Sequence, residues 1–257
     1  MYVALWYIHQ YPTARSIGGH RFGTFMDDGR VTTTDFYRWV VPVLFAAAFS
    51  IKEIYWEDRF HPENHGTGYF AQRFTSFIDC APIYVERPDD AVMEHALFDG
   101  KSGKGHCYKI QVAINFLGWI VMYTGLHISK VQDNTVFEKT WPQHPLEDFE
   151  WWFGDSIYKT CDHVLAKYTI DDGGVLSDWQ QYINNQVNFW RQRVEHIMGV
   201  IKKHGAFRQN FRGCHFLLHA IVKLTVNMTN CSLRKSWISE EGKARYAGFN
   251  YGAHNRF

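Results

Sequence analysis

Three carboxylates have positions that could do chemistry. Asp79 closes the run Thr75-Ser76-Phe77-Ile78, Asp155 follows the aromatic run Phe149–Phe153 and Gly154, and Glu195 lies on the flank of a long apolar helical stripe. An acid placed straight after a buried apolar strand is poorly solvated, so it needs a partner or a use. Hard divalent cations prefer oxygen ligands. Two such ions about 3.5–4 Å apart can activate a water and stabilise the leaving oxygen of a phosphodiester. The chemistry expected is therefore metal-dependent phosphodiester cleavage. Asp79 and Asp155 would bridge two Mg²⁺ or Mn²⁺ ions, and Glu195 would hold the second. Each acid alone also has a plainer use. Asp79 could cap a turn, Asp155 between Gly154 and Ser156 could be an N-cap, and Glu195 stands four residues after Arg191, the spacing of a helix ion pair.

Such acids need rigid mounts, and the chain supplies candidates. Phe74–Val85 reads as a short buried strand ending near Asp79. Gly100–Gly105 is a Lys- and Gly-rich turn, and Cys107–Asn115 and Trp119–His127 form a hairpin through Phe116-Leu117-Gly118. Asp133–Lys139 opens a short helix, with Asp133 either its N-cap or an auxiliary acid. Phe149–Phe153 is a compact strand, and Val164–Tyr168 is a fifth. A long helix runs from about Trp179 to Lys203, with Val187, Trp190, Val194, Ile197, Met198 and Ile201 on one face. Cys214–Val226 has a further apolar helical pattern, and the end of the chain, from Glu240, is polar. This order predicts an α/β fold: an RNase H-like mixed sheet, its first three strands antiparallel and the rest helix-linked.

Ahead of it, Ala4–His9 and Phe36–Phe49 read as helices, the second preceded by the capping run Thr32-Thr33-Thr34-Asp35. With the glycines between them they are consistent with a helix-turn-helix remnant. Residues 57–70 read as a polar linker. The division expected is a helical segment over residues 1–65 and a nuclease domain over residues 66–257.

Composition is that of a globular protein, with 46% hydrophobic and 21% charged residues. A net charge of +1 decides nothing about partners, but its distribution is uneven: Arg191 to Arg245 holds eleven Lys or Arg and three acids. A basic C-terminal third beside an acidic middle suits a phosphate-gripping protein, and equally a solvated basic helix face. The five cysteines include no C-x-x-C pair, which argues against a zinc site or a disulfide framework. The apolar stretch Trp39–Ile51 is too short to span a bilayer. An intracellular protein, in a reducing compartment, is expected.

At the candidate acids the chain resembles the PIF/Harbinger transposases and transposase-derived nucleases, from about Phe77 to Asn230. Phe77-Ile78-Asp79-Cys80 is similar to the family's first catalytic Asp motif. Lys101-Ser102-Gly103-Lys104-Gly105-His106 through Lys109-Ile110-Gln111 resembles its SGKK…H…K-x-Q segment. Phe153-Gly154-Asp155-Ser156-Ile157-Tyr158 resembles its GDxxY motif. Asn185 through Arg191, Arg193-Val194-Glu195 and Lys202 resemble its N…R…VE…K helix. The resemblance implies a DDE endonuclease using Mg²⁺ or Mn²⁺, with DNA as substrate and a nuclear location. It also implies a DNA-binding helper protein and a homodimer as partners. Lys101, Lys104, His106, Arg191 and Lys202 become candidate DNA contacts. Cys80 stands where the family has Gly, and Gln132 where it has His before Asp133. All three acids are present, so the departures suit a domesticated or decayed copy rather than a dead enzyme. Two alternatives stay open: a non-catalytic DNA- or partner-binding protein on the same scaffold, and an unrelated carboxylate-rich phosphatase.

Overall fold

The computed structural model describes residues 7–10, 36–64, 73–100, 105–140, 144–170 and 174–238. Its centre is a mixed sheet. Strand β1 (Phe74–Val85) pairs antiparallel with β3 (Gly105–Asn115) on one side and parallel with β5 (Trp151–Gly154) on the other. Two strands share the far edge of β3, the short β2 (Phe98–Asp99) and the long β4 (Ile120–Ile128). β6 (Val164–Ala166) adds in parallel beyond β5. The antiparallel first three strands and the parallel later ones agree with the order read from the sequence.

β1 is longer than its apolar start suggests. Asp79 is the sixth of its twelve residues rather than its last, because the pairing with β3 continues without a break to Val85 and His106. The β3–β4 hairpin turns at Gly118, whose φ of +81° suits glycine. The Asn115 side chain closes this turn by accepting the amides of Leu117 and Trp119.

Helices cover both faces. α1 (Val41–Ser50) follows a π turn at Phe36–Val40. α2 (Ala91–Leu97), not foreseen from the sequence, begins at Asp90, whose carboxylate accepts the Met93 amide. α3 (Asp133–Thr140) lies on one face of the sheet with Phe137 buried beside Trp152 and Tyr158. The other face carries α4 (Asp178–Lys202), the single-turn α5 (Gly205–Arg208) and α6 (His215–Ile238). α4 starts with a capping box between Ser177 and Gln180 and buries Val187, Trp190, Val194, Ile197 and Ile201 against the sheet.

α6 runs a full three turns past the apolar pattern that predicts it. Asn227 and Asn230 in this extension are buried and hold distant backbone. Asn230 accepts the Ile120 amide at 2.7 Å and donates to the Ile120 carbonyl at 2.9 Å, and Asn227 accepts the Glu53 amide at 2.8 Å. Leu44 and Ala48 of α1 share one core with Leu218 and Ile221 of α6 and with Phe77 of β1.

Residues 57–64 are no linker. They form a 3₁₀ turn (Trp56–Phe60) and a bend in which Arg59 and Asn64 are buried. Arg59 Nε pairs with Glu150 at 3.0 Å, and Asn64 donates to the Thr75 carbonyl and accepts the Phe116 amide. Polar composition signalled exposure; the side chains instead satisfy buried partners. The region between the two expected N-terminal helices lies outside the described residues.

Candidate active site

Strand register brings the two aspartates together. Phe77 stands beside Phe153 in the parallel β1–β5 pair. Asp79 and Asp155 each lie two residues beyond this last recorded pair; Asp155 is still extended at φ −74° and ψ −178°, and its charge acts on Asp79. Side chains two apart on a strand share a face. Phe77 and Phe153 belong to the same buried core as Val187, Trp190 and Val194 of α4, and residues two further along each strand face the same side.

Each acid has one oxygen fixed by backbone. The Cys80 amide donates to Asp79 Oδ1 at 2.8 Å, and the Ile157 amide donates to Asp155 Oδ1 at 2.9 Å. Asp155 therefore does cap the 3₁₀ turn Ser156–Tyr158 with one oxygen and keeps the other. Burial pushes the Asp79 carboxyl from 3.8 up to about 7. The Cys80 amide opposes this; the neighbouring Asp155 charge adds to it, the Arg191 guanidinium lowers it, and Asp133 raises it further.

Glu195 is on α4, the helix that covers these acids, about half exposed, and its Oε1 accepts from Arg191 Nε at 3.0 Å. The ion pair expected from the four-residue spacing is formed. Among the described residues, no three side chains of His, Cys, Asp or Glu stand close enough to share one ion.

The donors fit a hard divalent cation nonetheless. Asp79 and Asp155 offer only oxygens, and Asp79 is a half-buried acid whose charged form is disfavoured by desolvation, a deficit that a cation would meet. Cys80 does not compete for such an ion. It lies on the opposite face of β1, and burial pushes its thiol well above the ordinary cysteine range, which keeps it protonated.

That opposite face explains why the motifs have the spacing they do. Lys109 and Gln111 alternate on β3 and so point the same way. Lys109 Nζ donates to Asp133 Oδ1 at 2.9 Å and to the Val131 carbonyl at 3.0 Å. Gln111 Nε2 donates to the Asp133 carbonyl at 3.0 Å and to the Tyr158 hydroxyl at 3.1 Å. The Tyr158 hydroxyl in turn donates to Cys80 Sγ at 3.6 Å. This network ties the start of α3 to the residue after Asp79 and to the residue three after Asp155. Asp133 is the first residue of α3, and its carboxylate is paired with Lys109. Sequence reasoning quoted Lys109, Gln111 and Tyr158 but gave them no task; their alternation on a strand was the signal that they share a face.

The candidate DNA contacts are dispersed. Lys101 and Lys104 lie outside the described residues. His106 is buried on β3 with its ring edge-on to Phe98 at 5.7 Å. Arg191 holds Glu195, and Lys202 is half-buried at the last turn of α4.

A sheet of this order, with an aspartate on β1, a second beside it after β5 and a glutamate on the covering helix, defines an RNase H-like fold. Residues 78–230 match the family described as DDE superfamily endonuclease. The chain belongs to that family, whose members are nucleases of the transposase kind that act on DNA with divalent metal ions. No curated protein and no solved structure matches it. No helix among the described residues is long and apolar enough to cross a membrane.

Proposed function

We propose that this protein is a DNA endonuclease of the PIF/Harbinger type that cleaves phosphodiester bonds by a two-metal mechanism. The observation that supports the proposal is the register of β1 and β5, in which Phe77 stands beside Phe153, two residues before Asp79 and Asp155 on their strands, with the Asp155 charge acting on Asp79. Asp79 and Asp155 would hold Mg²⁺ or Mn²⁺ between them through the oxygens their backbone partners leave over, with Glu195 completing the set. The ions, when bound, supply the charge that activates water and offsets the developing charge on the leaving oxygen. The chain's own part is to orient the two carboxylates. The Cys80 and Ile157 amides fix one oxygen of each, and the Lys109–Gln111–Tyr158 network holds the backbone beneath them. Strand transfer by a freed 3′-hydroxyl, a homodimer, a helper protein and a nuclear location go with the subtype and belong to the same proposal. So does the division into residues 1–65 and 66–257.

The test is nicking of supercoiled plasmid in Mg²⁺ or Mn²⁺. Wild-type protein is expected to nick and Asp155→Ala to be inactive; equal nicking by both would remove the mechanism.

A second reading has one observation in its favour. The Glu195 carboxylate is held by Arg191, and among the described residues no three acid, histidine or cysteine side chains gather as one group. A non-catalytic DNA-binding scaffold would carry such a pair at no cost. Calorimetric titration with Mn²⁺ separates the two: no heat of binding favours the scaffold.

A further inference from the structure

The outer surface of α1 carries an apolar seam without a task in cleavage. Trp39, Pro42, Ala46 and Phe49 recur three or four residues apart through the π turn and the helix. All are exposed, Trp39 by 60% and Phe49 by 62%. The opposite side of the same helix is buried, with Leu44 and Ala48 in the core. Apart from its last residue, Ser50, α1 is apolar on every side. Such a helix is ordinarily covered all round. α6 widens the seam: Phe216, 70% exposed, stacks on Phe45 with ring centres 4.8 Å apart. Two helices thus turn a joint aromatic surface outward, and surfaces of this kind mark contacts with other proteins.

The charge around the seam has one sign. Arg38 and Lys52 flank the two ends of α1, and Lys223 of α6 places its Nζ 4.3 Å from the centre of the Phe49 ring. Neither α1, the π turn nor α6 contains an aspartate or a glutamate. These three cations have no carboxylate partner among the described residues. That charge selects the occupant. A second copy of the chain would bring the same cations face to face, and like charges across an interface are costly. A nucleic-acid base would need a free ring face. Phe45 is stacked on both Phe216 and Phe49, and Phe49 also carries Lys223. Ring edges remain, and these suit the aliphatic and aromatic side chains of a protein helix.

We infer that the α1 seam docks an amphipathic helix of a partner protein. The apolar stripe of that helix meets Trp39, Ala46, Phe49 and Phe216, and acids on its flanks meet Arg38, Lys52 and Lys223. α1 is about 15 Å long, enough to receive anchors spaced over two turns of a docked helix. The inference goes beyond the DNA-cleaving reading and does not depend on it.

The full chain is titrated against a fluorescein-labelled peptide of about three heptads, with Leu at the a and d positions and Glu at e and g, and binding is followed by anisotropy. One control peptide has Lys in place of Glu, and another has Ser in place of Leu. The acidic peptide is expected to bind, and each control to bind about tenfold more weakly. Trp39→Ser and Phe49→Ser are each expected to weaken the acidic peptide about tenfold, as the loss of an aromatic anchor does. Lys52→Glu and Lys223→Glu are expected to weaken it about threefold and to flatten its salt dependence. The altered side chains lie at the surface, so circular dichroism and the melting temperature are expected to stay close to wild type. Failure of the acidic peptide to bind, or equal binding of the Lys peptide, overturns the inference. So does an oligomer seen by light scattering, or a complex with oligothymidylate or phosphatidylserine vesicles, that Trp39→Ser and Phe49→Ser abolish: the seam then belongs to a second copy, a nucleic acid or a membrane. Plasmid nicking that survives Asp155→Ala would instead overturn the cleavage reading and leave the peptide results standing.

Discussion

The ring of Tyr158 lies against the α-carbon of Gly154. A β-carbon at Gly154 would stand 2.8 Å from Tyr158 Cδ2 and 2.9 Å from Val164 Cγ1. Both neighbours are buried, and Tyr158 is locked by its hydrogen bond from Gln111, so neither can yield. The glycine before Asp155 is therefore a packing requirement. Gly154→Ala is expected to cost about 1–3 kcal/mol, the usual range for overpacking a filled core. For a chain of this size that lowers the melting temperature by roughly 2–12 °C. Thermal unfolding followed by circular dichroism checks it, and an unchanged midpoint would show that the ring can move.

This contact shows what could be read from the sequence and what could not. The spacing of Gly154, Asp155 and Tyr158 was visible, as were β1, the β3–β4 hairpin, α3 and α4, because each has its own period or turn residue. Apart from the short α2, what sequence missed are the segments whose polar residues serve buried partners. Arg59 and Asn64 read as linker, and Asn227 and Asn230 ended the apparent helix, since a hydrogen bond to a distant strand leaves no local pattern. The two aspartates were legible as acids after apolar runs. Their adjacency was not, since it depends on the β1–β5 register, which is fixed by packing across the sheet.

Arg59 and Glu150 form a fully buried ion pair, with Glu150 also accepting from Trp152 Nε1 at 3.0 Å and from the Thr75 hydroxyl. Removing one partner strands the other charge out of water, at a cost of about 3–5 kcal/mol. Glu150→Ala is expected to lose that much in urea unfolding. The double variant Arg59→Met, Glu150→Leu is expected to recover much of it. A single variant within 1 kcal/mol of wild type, by the same scale, would mean water reaches the pair.

Asp79 makes metal-free stability depend on pH. Its carboxyl is raised from 3.8 to about 7 by burial, so the folded state prefers the protonated acid. The contribution of Asp79 is whole below pH 3.8 and is lost as pH rises through about 7. In EDTA at pH 8, Asp79→Asn is expected to melt higher than wild type, because an amide carries no charge to bury. Excess Mn²⁺ is expected to raise the melting temperature of wild type and to leave that of Asp79→Asn nearly unchanged. Melting curves in EDTA and in Mn²⁺ at pH 5 and pH 8 test both statements. A wild type that outlasts the variant at pH 8 without metal contradicts the first.

Glu195 and Arg191 separate stability from function. Their pair is exposed, about 45% and 55% at the arginine and the glutamate, and joins residues four apart on one helix. Exposed pairs of this kind contribute about 0.3–0.5 kcal/mol. Glu195→Gln keeps the size of the side chain and its oxygen acceptor, so its melting temperature is expected to stay close to that of wild type. Nicking is expected to vanish all the same, because an amide is a poor ligand for a hard cation. Arg191→Ala divides the roles further: it frees Glu195 and removes a positive charge that acts on Asp79. If the arginine only restrains the glutamate, the variant nicks faster in Mn²⁺. If it also grips DNA, the variant nicks more slowly and its binding depends less steeply on salt, by about one phosphate contact. Full nicking by Glu195→Gln would remove that residue from the site, whatever the arginine does.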